Sequence, residues 1–411
     1  MSRVLDILPS LDAEVMDALP DGPLGVALSG GGDSLALLHL LHEWGGRPLR
    51  AVTVDHGLRV ASMAEALRAG EMAAALNIPH QIFKWGHEGD ITGNLQDAAR
   101  AARRRLIADW ARETGLGAVA LGHTADDQAE TFLMRLARGS GLDGLASMDG
   151  IVAASGVIWA RPLLHVRRGD LRDYLKDRSI GWIDDPSNED TGFERVRVRE
   201  ALDTLDGLGI DVPRIEKTTR RLKSAKQVLY VATRDLGLAI SEMSRFGELT
   251  MRLEGLLSAQ LAIQLRLLSD ALRYVSGAYY GPRSFTVQAI LDELPGPMLA
   301  RSLHGCLISA TDGVLRIRRE PSACESTVEG GAVWDGRWMV SGPFSSDMRV
   351  GALGESGLAA RPDWRESNTL RAILLTTPAV WQADRLISAP LLDISPEWTA
   401  EISLKNDFFP Q

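Results

Sequence analysis

The stretch Leu24-Gly25-Val26-Ala27-Leu28-Ser29-Gly30-Gly31-Gly32-Asp33-Ser34 decides the fold of this chain. Its apolar beginning predicts a buried strand, and the following run Leu35–Leu41 predicts the start of a helix. A strand, a glycine turn and a helix N-terminus together present unpaired backbone N–H groups to an anion. Ser29 and Ser34 add hydroxyl donors, and Asp33 fits a phosphate site if a cation bridges it to the phosphate. No lysine follows the glycines, so the loop is not of the Walker type. The alternative is a tight glycine turn without a ligand.

Strand-like and helix-like segments alternate along the first half of the chain, which predicts an α/β fold with a doubly wound, mostly parallel sheet. The strand candidates are Leu24–Leu28, Leu49–Val54, Gln81–Trp85, Ala118–Leu121 and Val157–Ala160. The helix candidates are Ser34–Glu43, Met63–Leu76, Leu95–Thr114 and Asp126–Ala137. Ligands bind such sheets beyond the carboxyl ends of the strands. Three polar motifs follow strands, at Ser29–Ser34, Asp55–Arg59 and His123–Thr131, so we expect them to meet at one edge.

The character of the sequence changes near Leu202, after which Gly207, Gly209 and Pro213 interrupt the chain. Helical patterns then cover Ile215–Thr250, Leu256–Val275 and Val287–Leu294, and strand-like patterns cover Leu307–Ser309 and Val314–Ile317. Beyond Pro321, tryptophans occur among short strand-like pieces. We therefore expect three domains: a nucleotide-binding catalytic domain over residues 1–201, a mainly helical domain over 202–320, and a small β-rich domain over 321–411.

Bulk composition is that of an ordinary globular protein, with 45% hydrophobic and 24% charged residues among 411. The two cysteines, Cys306 and Cys324, form neither a disulfide framework nor a CxxC pair. The N-terminus lacks a signal-peptide pattern, and no apolar stretch approaches the roughly 20 residues of a membrane span. These features predict a cytoplasmic protein without a membrane partner. The sequence does not define an oligomeric state, and a homodimer is one arrangement compatible with it.

The net charge of −9 argues against a nucleic-acid partner, but phosphate binding depends on local patches. Basic residues cluster at four places: Arg100, Arg103, Arg104 and Arg105; Arg167, Arg168 and Arg172; Arg195, Arg197 and Arg199; and Arg220, Arg221, Lys223 and Lys226. Each cluster is either a solvated face or part of a basic surface. On the amphipathic helix Leu95–Thr114, guanidinium groups three or four residues apart can grip adjacent phosphates.

The segment His123–Thr131 concentrates carboxylates at the predicted start of a helix that Thr124 can cap. Asp126, Asp127 and Glu130 fall on neighbouring helical positions, and clustered carboxylates favour a metal or an ammonium group. An acidic helix N-terminus favoured by the macrodipole is the alternative. Further along, the segment from Trp182 to Arg199 lacks a helical period. Its arginines Arg195, Arg197 and Arg199 alternate as on an extended segment, which predicts either a loop closing over the site or a linker.

Six motifs, taken in order, resemble those of the tRNA(Ile)-lysidine synthetases, a branch of the N-type ATP pyrophosphatases: SGGGDS from Ser29, DHGLR from Asp55, GNLQDAAR from Gly93, GHTADDQAET from Gly122, RGSGLDGL from Arg138 and WIDDPSN from Trp182. The resemblance covers about the first 200 residues closely and the remainder more loosely. It implies that ATP adenylates the C2 oxygen of the wobble cytidine in the isoleucine tRNA with a CAU anticodon. The amine of free L-lysine then displaces AMP and leaves lysidine.

The resemblance also implies roles for individual residues. ATP would be held by Ser29, Gly30, Gly31, Gly32, Asp33, Ser34 and His56, with Asp33 also reaching Mg²⁺. Asp127 and Glu130 would hold the lysine ammonium, and the catalytic set would be Asp33, Asp127, Glu130, Arg100 and Arg195. The tRNA would contact Arg103, Arg199, Arg220 and Arg221. Two positions depart from the family pattern: Val196 replaces an asparagine, and Arg104 stands where an aromatic residue is usual.

Three rival functions remain. A tRNA thiolase would need a cysteine or an iron–sulfur cluster beside the nucleotide, but Cys306 and Cys324 lie outside the predicted nucleotide domain. A small-molecule amide ligase of the same superfamily would need neither the basic clusters nor accessory domains. A non-catalytic tRNA-binding protein would not need the complete glycine loop beside the carboxylate cluster.

Overall fold

The structure, a computed structural model, describes residues 11–57, 61–86, 95–184, 194–296, 299–324, 326–393 and 397–403. The chain divides into two compact units, Met1–Lys226 and Gln227–Gln411. The three-domain division with boundaries after residues 201 and 320 stays a prediction. No helix in the described part of the chain combines the length and the apolar character that crossing a bilayer requires.

A six-stranded sheet forms the centre of the first unit, in the order β3-β2-β1-β4-β6-β5. All neighbouring strands are parallel except β5 and β6, so the predicted α/β fold is confirmed. The antiparallel strand β5 was not predicted. The strands are β1 (Leu24–Ala27), β2 (Leu49–Asp55), β3 (His80–Lys84), β4 (Ala118–Ala120), β5 (Ile151–Ala154) and β6 (Val157–Ala160).

Helices cover this sheet, and their apolar side chains form its core. All four residues of β1 are buried, and so are six apolar residues of the helix that follows it. The helices that begin in the first unit are α1 (Ala13–Asp17), α2 (Gly32–Trp44), α3 (Ser62–Ala75), α4 (Leu95–Glu113), α5 (Ala125–Ala137), α6 (Leu142–Leu145), α7 (Arg168–Asp177), α8 (Glu194–Asp206) and α9 (Val212–Ile240), the last of which ends in the second unit. From the central pair β1 and β4, the sheet extends through β2 to β3 in one direction and through β6 to β5 in the other. The carboxyl ends of β1 and β4 therefore border the crevice where ligands bind such sheets.

The segment carrying Arg195, Arg197 and Arg199 is helix α8, so the predicted extended conformation is wrong. The alternation of arginine and valine suggested a strand, but burial of Val196 and packing of α8 against α5 favour a helix. Arg195 and Arg199, four residues apart, therefore share a face that excludes Arg197. The rest of the predicted closing loop, residues 185–193, lies outside the described residues. So do residues 58–60 of the second polar motif and 93–94 of the third motif.

In the second unit, α9 ends at Ile240, so the helix predicted as far as Thr250 is ten residues too long. The hairpin of β7 and β8 follows, and Leu249 and Met251 of β8 are buried in the core beside β11. Gly247 turns this hairpin with φ +84°. The antiparallel sheet has the order β7-β8-β11-β10-β9. The strands of this sheet and the helices between them are β7 (Ser241–Met243), β8 (Leu249–Arg252), α10 (Leu253–Leu257), α11 (Leu261–Ser276), α12 (Ser284–Glu293), β9 (Leu299–Leu303), β10 (Cys306–Thr311) and β11 (Val314–Arg319).

Two small antiparallel sheets complete the second unit, with orders β12-β15-β16-β17 and β13-β14-β18. Trp334, Trp338 and Trp398 form part of their core, which agrees with the β-rich C-terminal region expected from the tryptophan pattern. The elements are β12 (Val328–Glu329), β13 (Val333–Trp334), β14 (Trp338–Ser341), β15 (Met348–Ala352), α13 (Gly354–Ala360), α14 (Arg371–Leu374), β16 (Pro378–Gln382), β17 (Arg385–Ser388) and β18 (Thr399–Ile402).

Candidate active site

A cavity of about 630 Å³ lies at the carboxyl ends of β1 and β4, inside the first unit. It joins the glycine loop after β1 to the start of α5 and to side chains of α4, α7 and α8. The sequence-predicted site residues that line it are Ser29, Gly31, Gly32, Asp33, Ser34, Arg100, Arg103, Asp127, Arg195 and Arg199. Other lining residues include Arg104, His123, Arg161, Arg168 and Arg172.

The glycine loop is held in shape by its own serines. The Ser29 N–H donates to Ser34 Oγ at 3.1 Å, and Ser34 Oγ donates to the Gly31 carbonyl at 3.0 Å. Gly30 has φ +79°, and a Cβ there would lie 2.5 Å from Ile183 Cδ1, so this position requires glycine. The next helix, α2, starts at Gly32 without a side-chain cap. Its first-turn N–H groups are therefore suited to a phosphate.

The loop after β4 lies directly against this glycine loop. A Cβ on Gly122 would lie 2.9 Å from the carbonyl oxygen of Asp33, so only a residue without a side chain allows this approach. Two residues later, Thr124 caps α5 with a reciprocal capping box to Asp127. The nucleotide loop and the carboxylate cluster are thus fixed side by side, although about 90 residues of chain separate them.

One arginine, Arg168, connects Asp33 on the glycine loop with Asp127 and Glu130 on α5. Its Nε donates to Asp33 Oδ2 at 3.0 Å, while its terminal nitrogens donate to Asp127 Oδ1 and Glu130 Oε1, each at 3.1 Å. The structure therefore brings together the three predicted carboxylates around a cation from the chain itself. The sequence places Arg168 in a basic cluster and indicates no separate role for it. Its position after strand β6, at the same sheet edge as the other motifs, was the signal that could have identified it.

Glu130 is completely buried, and its two carboxylate oxygens have different surroundings. Oε1 accepts from Arg168 and, at 2.7 Å, from Nε of Arg199 on α8. Oε2 is buried without a hydrogen-bond partner among the described residues. A buried carboxylate oxygen without a donor is costly, so Glu130 holds an acceptor that the described residues leave unused.

The electrostatics of the site follow from burial and from this arginine. Burial raises the pKa of Asp33, with Arg168 only partly opposing the shift. Burial would also raise the pKa of Asp127, but Arg168, His123 and the hydrogen bonds from Thr124 outweigh it and lower that pKa. Contact with three carboxylates raises the pKa of Arg168 despite its burial. The pair Asp127 and Arg168 is therefore charged at neutral pH.

The remaining predicted residues divide between the cavity and other places. Arg100, Arg103 and Arg195 line the same cavity as Asp33 and Asp127, and burial lowers the pKa of Arg103. His56 lies outside the cavity lining and packs edge-to-face on Trp85, with ring centroids 6.1 Å apart. Gly30 shapes the loop without lining the cavity, and Arg220 and Arg221 lie on α9. Their predicted roles stay predictions.

The residues at Asp33 fit a nucleotide-bound Mg²⁺. Within the described residues, no group of three or more His, Cys, Asp or Glu side chains has the arrangement of a metal site. Mg²⁺ commonly binds through one or two carboxylates together with substrate phosphates and water, so Asp33 beside the uncapped α2 N-terminus fits the protein's part in such a site. A positive ion there would also compensate the burial of the Asp33 carboxylate.

A phosphate-binding glycine loop at the switch point of a parallel sheet, with an acidic cluster beside it, defines a nucleotide-dependent enzyme. The family model for the PP-loop domain matches residues 10–205. A tRNA(Ile)-lysidine synthase from Ruegeria pomeroyi is 41% identical over 98% of this chain and 97% of its own length. A second, from Hyphomonas neptunium, is 38% identical over 72% of this chain and 80% of its own length.

The chain therefore belongs to the tRNA(Ile)-lysidine synthase family of PP-loop ligases. Among solved structures, the U34-tRNA thiolase NcsA from Methanococcus maripaludis with its [4Fe-4S] cluster is 19% identical, with a TM-score of 0.46. That similarity covers 53% of this chain and 76% of the thiolase.

We predict that His123 makes the stability of the first unit depend on pH. Burial outweighs the nearby Asp127 and lowers the pKa of His123 from 6.5 to about 3. The unfolded chain therefore takes up the proton first, so the free energy of unfolding is fully retained above pH 6.5 and falls as the pH drops toward 3. His123→Asn should flatten this slope in urea titrations between pH 7 and pH 5.

His165→Asn, which removes an exposed histidine from the same unit, is the matched control. An equal slope in the wild type and in His123→Asn would show that His123 takes up its proton equally readily in the folded and unfolded states.

Proposed function

We propose that this protein ligates L-lysine to C2 of the wobble cytidine in the isoleucine tRNA with a CAU anticodon, using ATP in the cytoplasm. The observation that supports this most is that Asp33, Asp127 and Glu130 all contact Arg168, and that Asp33 and Asp127 line one cavity. The first belongs to a phosphate loop and the other two suit an ammonium group. Membership in the family supports ATP for the phosphate loop and lysine for the two carboxylates of α5. A homodimer remains a prediction.

In the first step, the cytidine C2 oxygen attacks the α-phosphorus of ATP, and pyrophosphate leaves with the electron pair of the broken P–O bond. The glycine loop and the first-turn N–H groups of α2 would hold the phosphates. Asp33 would hold Mg²⁺, which when bound neutralises phosphate charge. Arg100 and Arg195 line the same cavity and would offset the charge of the transferred adenylate.

In the second step, the lysine amine attacks C2, the C2–O bond breaks, and AMP leaves with that oxygen. The ammonium must first lose a proton, although carboxylates around it raise its pKa. Exclusion of water from the closed cavity would oppose that effect. The unpartnered Oε2 of Glu130 would accept the proton, while Asp127 holds the amine in place.

The decisive experiment incubates the purified protein with ATP, MgCl₂, radiolabelled L-lysine and a transcript of the isoleucine tRNA. Label should enter the RNA only when all components are present, with one AMP formed for each lysine incorporated. Asp33→Asn should form no AMP. Lysine-dependent AMP formation without tRNA would instead indicate a small-molecule amide ligase, and no AMP with every substrate present would contradict the proposal.

Glu130→Gln should raise the KM for lysine by about 10-fold or more while leaving the KM for ATP nearly unchanged. The substitution keeps the shape of the side chain but removes the charge that attracts the ammonium, and hydrogen bonds to charged groups contribute more than neutral ones. Glu113→Gln removes an exposed charge at the end of α4 and serves as the control. An unchanged KM for lysine in Glu130→Gln would show that Glu130 does not bind the lysine amine.

The double substitution Arg220→Gln and Arg221→Gln should weaken tRNA binding and reduce its dependence on salt. Each lost phosphate contact lowers the slope of log K against log [KCl] by about 1. The side chain of Arg220 is 71% exposed and pairs only with its helix neighbour Glu216 among the contacts described. Arg50→Gln is the control, because Arg50 lies near the amino end of β2, whereas the cavity lies at the carboxyl ends of the strands. A slope equal to that of the wild type would place both arginines outside the tRNA interface.

A further inference from the structure

The proposed amine pocket, formed by Asp127 and Glu130, is filled by the guanidinium group of Arg168. Arg168 donates to both carboxylates that we assign to the lysine ammonium, and it donates to Asp33 on the nucleotide loop as well. Its side chain is only 18% exposed. A cation with three donors thus occupies the place where the substrate's cation has to bind.

Burial adds a second observation. Asp127, Arg168 and Arg199 line the cavity, but Glu130 does not, and its carboxylate is covered by the guanidinium groups of those two arginines. An ammonium that enters through the cavity therefore reaches Glu130 only after at least one of them moves. The unpartnered Oε2 of Glu130 shows that the two arginines do not satisfy this carboxylate fully. Glu130 therefore has one acceptor oxygen that neither arginine uses.

The anchorage of Arg168 limits how it can move. Its backbone N–H donates to Asp126 Oδ2 at 2.7 Å at the start of α7, which holds the main chain in place. The side chain already contacts Asp33 on the phosphate loop, so its guanidinium lies beside the place where a triphosphate would bind. Arginine forms paired hydrogen bonds to phosphate as readily as to carboxylate.

We propose that Arg168 is a positioning residue that blocks the amine pocket until ATP binds and then exchanges its carboxylate partners for the ATP phosphates. This inference rests on the proposed function and adds an order to it: nucleotide binding opens the lysine site. When Arg168 leaves, Asp127 loses its arginine partner and Glu130 keeps only Arg199, so the ammonium of lysine replaces the missing charge. Premature binding of lysine is suppressed by competition with Arg168.

The exchange makes the two substrates cooperative. Coupling between two binding sites typically changes an affinity by 5- to 150-fold and is reciprocal. Lysine should therefore bind the wild-type protein about 10-fold more tightly in the presence of nucleotide than in its absence. Removing the guanidinium should tighten lysine binding in the absence of nucleotide and abolish most of the difference.

The test measures binding of radiolabelled L-lysine by equilibrium dialysis, with and without α,β-methylene-ATP and MgCl₂ and without tRNA. It compares the wild type with Arg168→Gln, Arg168→Lys and the control Arg167→Gln. Arg167 pairs with Asp126 and touches none of the three site carboxylates among the contacts described. We expect about 10-fold coupling in the wild type and in the control, coupling near 1 in Arg168→Gln, and an intermediate value in Arg168→Lys, which keeps the charge but lacks the planar fork that pairs with phosphate.

Steady-state kinetics supply the second readout. Arg168→Gln should lower kcat for AMP formation, because the guanidinium no longer reaches the phosphates, without raising the KM for lysine. Lysine binding in Arg168→Gln that is weaker than in the wild type, or coupling that persists there, would overturn the proposal. If this variant does not fold, the wild type decides: lysine binding that nucleotide leaves unchanged also overturns it. A wild type that forms lysidine without such coupling refutes only this inference, whereas one that forms no lysidine refutes the proposed function.

Discussion

Three carboxylates that converge at one buried sheet edge need a cation, and this requirement governs the site. Transfer of a charged group out of water costs several kcal/mol, and removal of one partner from a buried pair leaves that cost uncompensated. Arg168 supplies the compensation here, with help from Arg199 at Glu130. The proposed exchange of Arg168 for an ammonium substrate would keep the buried carboxylates compensated throughout.

The parallel sheet explains why such distant segments meet. The glycine loop follows β1, the carboxylate helix follows β4, and Arg168 follows β6, so all three emerge at the carboxyl edge. The close approach of Gly122 to the backbone of Asp33 sets the spacing between the first two. Arginines of α4 and α8 line the same cavity, and one of them, Arg199, contacts Glu130. The cavity therefore carries both cationic and anionic side chains, as the proposed binding of phosphates and an amine requires.

Much of this arrangement could be predicted from the sequence, because strand and helix patterns in the first unit are strong and the carboxyl-edge rule places the motifs. Asp33 and Asp127 were identified in this way. Arg168 was not, because the same edge rule was not applied to the segment after β6 and its contact with Asp33 spans 135 residues. The alternation of arginine and valine around Val196 suggested an extended segment, whereas packing against α5 makes it a helix. The hairpin after Ile240 was missed because tertiary pairing with β11 overrides the apolar spacing of three and four.

The central claim is that the phosphate loop and the amine pocket belong to one cavity. A crystal structure of the protein with α,β-methylene-ATP, MgCl₂ and L-lysine tests it most directly. The account predicts phosphate oxygens at the first-turn N–H groups of α2 and the lysine ammonium about 3 Å from the carboxylate oxygens of Asp127 and Glu130. Lysine bound elsewhere, with Arg168 still holding all three carboxylates, would contradict it.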